Sequence, residues 1–197
     1  MADSLNLSLW FPSFDEPEIL PRVASALSQF PFSPQRSGVT YLAIHPVSWN
    51  EPTIMERRFQ PAVAPAEAAA AAVDLLHDDY AYVFDVWWDL WSVAEGATEW
   101  LKQPSLVKFI AQGMEFDDGT AAETGHIQID FGLDTPFLHE ELQLTPEAEQ
   151  HIRSNVQQLV EFTSRVEKNS GASGRLLWSE SEETLAQKLI ARLQKLQ

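Results

Sequence analysis

Cysteine is absent from the 197 residues, which excludes disulfides, thiolate nucleophiles and zinc sites built on Cys. No apolar run approaches the roughly 20 residues that a membrane-spanning helix needs. The start, Met1 to Asn6, carries neither the basic n-region nor the apolar stretch of a secretory signal, which predicts a cytoplasmic protein. The common catalytic signatures are missing too: no P-loop, no G-x-G-x-x-G, no G-x-S-x-G and no H-E-x-x-H. The run Asp117-Asp118-Gly119 lacks the alternate carboxylates and terminal Glu of a calcium loop, and reads as a turn. No motif in the sequence implies a metal or a cofactor.

Positive charge is scarce where negative charge gathers. Between Phe59 and Ile152 the only Lys or Arg residues are Lys102 and Lys108, against 18 acids, so this segment holds the whole net charge of −16. The flanks carry 11 bases and 11 acids and cancel. Such a field disfavours nucleic acid, whose phosphates must be neutralised by Lys and Arg, and would steer a cationic protein partner. The plainer consequence is solubility. An apolar content of 45% is ordinary for a folded chain.

What is there is organised around Asp79 to Trp91. With period two, Tyr80, Tyr82, Phe84, Val86, Trp88 and Leu90 form one unbroken apolar face, while carboxylates and indoles alternate on the other: Asp85, Trp87, Asp89, Trp91. Successive strand residues point to opposite faces, so this predicts a long strand with one side in the core. Before it come a strand over Ser4–Phe11, a helix opening between Asp15 and Pro21, a strand over Val39–Val47, a weaker one over Thr53–Phe59, and an alanine-rich helix from about Ala66 to His77. Asp15 with Glu18 has the spacing of a capping box, and Pro21 fits best in the first helical turn.

The order β-α-β-β-α-β predicts an α+β fold with a ferredoxin-like core, strand order 2-3-1-4. Ser105–Phe116 and Gly125–Leu133 supply two more strands, giving a roughly six-stranded, mainly antiparallel sheet; in the last, Ile127, Ile129, Phe131 and Leu133 face inward. The texture changes after Leu144. Thr145, Pro146, Glu147 and Glu149 start a helix striped by Ile152, Val156, Leu159, Val160 and Val166. After a flexible Asn169–Gly174 break and a short apolar piece at Arg175–Trp178, Ser179 and Glu182 open a helix bearing Leu185, Leu189, Leu193 and Leu196. The expected organisation is a sheet domain over 1–144 and a C-terminal helical extension over 145–197 packed on it.

The candidate site is the outward face of that sheet. It would bear Asp85, Trp87, Asp89 and Trp91 from the long strand and His126, Gln128 and Asp130 from the sixth, bordered by Trp10 and Asn6. Aromatic floors with carboxylates suit a cationic or hydroxyl-rich ligand. If the protein is an enzyme, Asp85, Asp89, His126 and Asp130 are the catalytic candidates. Asp85 and Asp89 lie about 13 Å apart along a strand and Asp130 about 9.5 Å from Asp85 across two strands, too far for all three to share one metal, while Asp85 with Asp130 is within the range of a glycosidase-like pair. Alternatively the C-terminal helices cover this face, with their stripes on Trp87 and Trp91.

His45, His77, His139 and His151 read as packed, capping or solvated residues. The reading this supports is a non-catalytic interaction or immunity-like protein presenting an acidic, aromatic surface. A carboxylate-dependent hydrolase (glycosidase-like or metal-assisted) and a small-ligand binder using Trp10, Trp87 and Trp91 are the alternatives.

Overall fold

The computed structural model describes residues 2–93, 99–181 and 183–194. These residues form an α+β fold with one antiparallel sheet of seven strands and six helices. The strands are β1 (Ser4–Trp10), β2 (Val39–Pro46), β3 (Met55–Val63), β4 (Tyr80–Val93), β5 (Trp100–Gln112), β6 (Ile127–Leu133) and β7 (Gly174–Ser179). The helices are α1 (Glu16–Leu27), α2 (Pro65–Ala70), α3 (Ala121–Thr124), α4 (Thr135–Leu138), α5 (Pro146–Ser170) and α6 (Leu185–Gln194).

The sheet order is β3-β2-β4-β5-β6-β1-β7. This corrects the expected ferredoxin-like order and the strand count. A split βαβ core would put β1 between β3 and β4; here β1 pairs instead with β6 and β7. The helix after β1 carries the chain across the sheet, and β2, not β1, becomes the partner of β4. The short apolar piece near Trp178 is the seventh strand.

The apolar face of β4 is buried as its period predicts. Tyr82, Phe84, Val86, Trp88 and Leu90 join Leu5, Leu7 and Leu9 of β1 and Ile127, Ile129 and Phe131 of β6 in one core. Helix α1 lies over it with Ile19, Leu20, Val23, Ala26 and Leu27 buried. Helix α5 adds Leu159, Phe162 and Val166. Phe162 meets Phe30 and Phe109 edge-on at 5.2 and 6.1 Å, a favoured aromatic arrangement. Among the described residues no helix is long and apolar enough to cross a membrane.

Several local expectations shift. Helix α2 ends at Ala70, and a 3-10 turn over Val73–Leu75 follows, so His77 is not at a helix end but packs on Tyr80 at 4.6 Å. The Asp15 side chain makes no cap bond; Glu18 accepts from Ser13 and pairs with Arg22 instead. Pro21 lies inside α1, past its first turn. Leu133 is 54% exposed because β6 carries a bulge, with Gly132 at φ 75°, that breaks the alternation after Phe131. Thr145 caps α5 as expected, accepting from Ala148 N–H at 3.1 Å. For α6 the reciprocal cap is Thr184 with Gln187; Glu182 and Leu196 lie outside the described residues.

Candidate functional site

The second face of the sheet is where the long helices are not. Helix α5 packs on the core side, so the C-terminal stripe does not cover Asp85; its first turns only reach round the far end of β4. There the ring of His151 lies 4.1 Å from Trp91 and 5.0 Å from Trp100. Trp88 is fully buried on the opposite side.

Beyond Val86, β4 has no β2 neighbour, and its free edge is capped instead. Ser33 N–H donates to the Trp87 carbonyl at 2.7 Å, and Gln158 Nε2 to the Asp89 carbonyl at 3.4 Å. Asn155 accepts from Trp91 N–H and donates to its carbonyl, both at 2.8 Å. An open edge is a template for pairing with another chain, and side-chain amides close this one.

The lower half of the second face is covered too. The segment from Phe116 through α3 crosses it: Phe116 packs edge-on against Trp49, Ser8 Oγ donates to the Thr124 carbonyl, and Trp10 Nε1 to the Ala122 carbonyl at 3.0 Å. Its left-handed turn is built on Asp117 and Asp118 at φ 49° and 59°. A Cβ at Gly113 would lie 2.0 Å from the Asp78 carbonyl oxygen, so only glycine lets the chain turn there.

The rest of the face is crossed by a row of cross-strand neighbours, one from each of the seven strands, with Asn6 buried and the others exposed or partly exposed. Register places Arg58 opposite Tyr41, Tyr41 opposite Asp85, Asp85 opposite Lys108, Lys108 opposite Asp130, Asp130 opposite Asn6, and Asn6 opposite Trp178. Directly opposed residues are the interacting pairs of a sheet. Lys108 Nζ stands 3.3 Å from Asp85 Oδ1. Burial pushes the Asp85 carboxyl up, and the Lys108 charge opposes that shift. Asp130 Oδ1 accepts from Gly132 N–H at 2.7 Å. Gln128 Nε2 donates to Asn6 Oδ1 at 3.1 Å.

The candidate residues therefore share a face but not a centre. Asp85 and Asp130 lie in one row with the Lys108 ammonium between them, an arrangement the sequence reading lacked. Asp89 sits four residues further along β4, with a buried carboxylate oxygen that has no hydrogen-bond partner among the described residues. His126 is removed from all three: its ring stacks on Phe14 at 4.9 Å, its Nδ1 accepts from Phe11 N–H, and burial holds its pKa down. Trp10 lies under α3, three strands from Trp87. Among the described residues no hydroxyl bonds a histidine ring, and no group of three or more His, Asp or Glu is gathered closely enough to hold a metal ion.

Beside Asp85 the face sinks into a cleft of about 670 Å³ whose lining includes Arg36, Thr40, Tyr41, Arg58, Asp85 and Trp87. The Arg36 guanidinium lies 4.2 Å from the Trp87 ring centre, and Arg58 lies 5.5 Å from that of Tyr41. Trp87 Nε1 donates to Thr40 Oγ1 at 3.1 Å, which fixes the indole. Tyr41 donates to Glu56 at 2.7 Å; burial first, and then that bond, push its hydroxyl up to about 12.

Sequence reasoning missed Arg36, Tyr41, Arg58 and Lys108. Period two through Lys102, Pro104, Leu106 and Lys108 would have placed Lys108 on this face; the turn that presents Arg36 carries no comparable signal. Comparison with known proteins adds nothing: no family model matches the chain, and no curated protein or solved structure matches it.

Proposed function

We propose that the chain is a non-catalytic interaction protein, immunity-like in character, that binds a protein partner on the uncovered half of the sheet's second face. The observation that carries this is the charge-alternating row from Arg58 through Asp85 and Lys108 to Asp130. Arg58 is exposed and Asp85, Lys108 and Asp130 are partly exposed, while every long helix sits behind the sheet. A rigid strand surface with fixed charges of both signs sets the register of a complex. The net charge of −16 favours a partner that is cationic overall, attracted at a rate that falls with salt.

The hydrolase alternative loses ground because Lys108 holds Asp85 and stands between it and Asp130. The small-ligand alternative rests on Trp87, which lines the cleft; Trp10 and Trp91 lie elsewhere.

The test is affinity capture of a partner from source cells, followed by binding kinetics on wild-type protein, Lys108→Glu and Asp85→Asn. The expected result is an association rate that drops as salt rises and at least a tenfold loss for Lys108→Glu. Asp85→Asn should weaken this charge-driven interface. A captured partner bound equally by all three proteins overturns the reading.

A further inference from the structure

We infer that the cleft bounded by Arg36 and Arg58 receives a carboxylate side chain of the protein partner. This rests on the reading of the face as a recognition surface and specifies what one part of it grips.

Among the described residues three of the eight arginines are paired with carboxylates. Of the five that are not, Arg192 is bonded to carbonyls, Arg57 and Arg165 lie outside the cleft, and Arg36 and Arg58 line it. Arg22 pairs with Glu18, Arg153 with Glu149, and Arg175 with Glu167. Arg36 and Arg58 do not. Among the described residues neither guanidinium has a carboxylate within 4.0 Å or a side-chain hydrogen bond to the protein. Both are exposed, yet each is held on an aromatic face, Trp87 and Tyr41. The two rings are anchored in turn, the indole by Thr40 and the phenol by Glu56.

Stacking orients the planar fork and reduces the entropy lost on binding, while leaving its N–H donors to a bidentate acceptor. The acids that might have quenched them are already engaged. Glu56, the one acid of β3, accepts from Tyr41, and Asp85 is turned to Lys108.

The chemistry of the lining selects among oxyanions. Asp85 shares the cleft, so a phosphate of charge about −1.5 to −2 meets more repulsion than a single carboxylate does. The volume of about 670 Å³ is lined by polar side chains such as Gln35 and Gln60. That fits one acidic side chain of a larger partner entering from solvent.

The experiment titrates the full chain with an acetylated, amidated Gly-Glu-Gly-Glu-Gly peptide. It follows the arginine Nε–H signals by NMR, with the Gln-for-Glu peptide and inorganic phosphate run alongside. The glutamate peptide should shift the Arg36 and Arg58 signals saturably, and the glutamine peptide should not. Arg36→Gln and Arg58→Gln should each weaken binding at least fivefold, and Arg165→Gln, on the exposed face of α5, should leave it unchanged. An equal response to the glutamine peptide, tighter binding of phosphate, or indifference to both cleft variants overturns the inference. If the peptide fails while partner capture still depends on Lys108, only the cleft assignment falls; if capture ignores Lys108, the recognition-surface reading falls with it.

Discussion

Asn155 treats Trp91 as a neighbouring strand would: its carboxamide accepts the Trp91 N–H and donates to the Trp91 carbonyl, both at 2.8 Å. A third bond runs to the Pro136 carbonyl at 2.7 Å. The side chain is buried, so truncation strands backbone groups away from water. Asn155→Ala should cost about 2–3 kcal/mol, measured by urea unfolding, and should promote association at high concentration by baring the edge. Unchanged stability and a monodisperse variant would show that the edge is protected by other means.

Asp85 and Lys108 should respond asymmetrically to mutation. The Asp85 side chain is 16% exposed and that of Lys108 41%. Burial raises the Asp85 pKa despite the ammonium. A carboxyl whose folded pKa is raised favours folding below its ordinary range and loses that contribution as pH rises through the folded value, so its charge opposes folding at neutral pH. Asp85→Asn should therefore be neutral or stabilising by up to roughly 1 kcal/mol at pH 7. Lys108→Met leaves the charge without its partner and should cost about 1–2 kcal/mol. Thermal melts of both variants check this; equal destabilisation would contradict it.

Burial lowers the pKa of both His126 and His45. His126 Nδ1 also accepts from Phe11 N–H at 3.0 Å, a bond that protonation of that nitrogen would break. The unfolded chain binds these protons more readily, so their contribution is full above about pH 6.5 and is lost as pH falls through the lowered folded values. The Tm should fall between pH 7 and pH 5, and the slope should be shallower in His126→Gln. An unchanged slope would assign the effect to other groups.

Helix α6 is tied down by Lys188, which bonds Asp3 at the start of the chain and Asp134 ahead of α4, the latter at 2.7 Å. Lys188→Met leaves two carboxylates facing each other. Hydrogen exchange over 185–194 should then quicken by about an order of magnitude while the amides of β4 and β5 keep their protection. Uniform loss of protection would mean that α6 does not open separately.

The buried half of the molecule was legible and the site half only in outline. Alternation in Tyr80–Leu90 assigned the strand and its two faces, because burial of a period-two stripe is a local property. Strand order was not legible, since the β1 stripe of Leu5, Leu7 and Leu9 suits any interior position in a sheet. The face of Asp85 was found, yet its chemistry was misjudged. Acidity was summed along the chain, whereas the row draws Lys108 from β5 and Arg58 from β3. Which charges meet across strands is set by register, and register depends on contacts distant in sequence.

Strand β1 has no complete home until both of its neighbours, far later in the sequence, have been made. Ser4–Trp10 must wait for Ile127–Leu133 on one side and Gly174–Ser179 on the other. Loop closure over such separations is slow, and an apolar strand left waiting is open to wrong partners. Nascent chains of this protein should therefore depend on chaperones until Gly174–Ser179 has emerged.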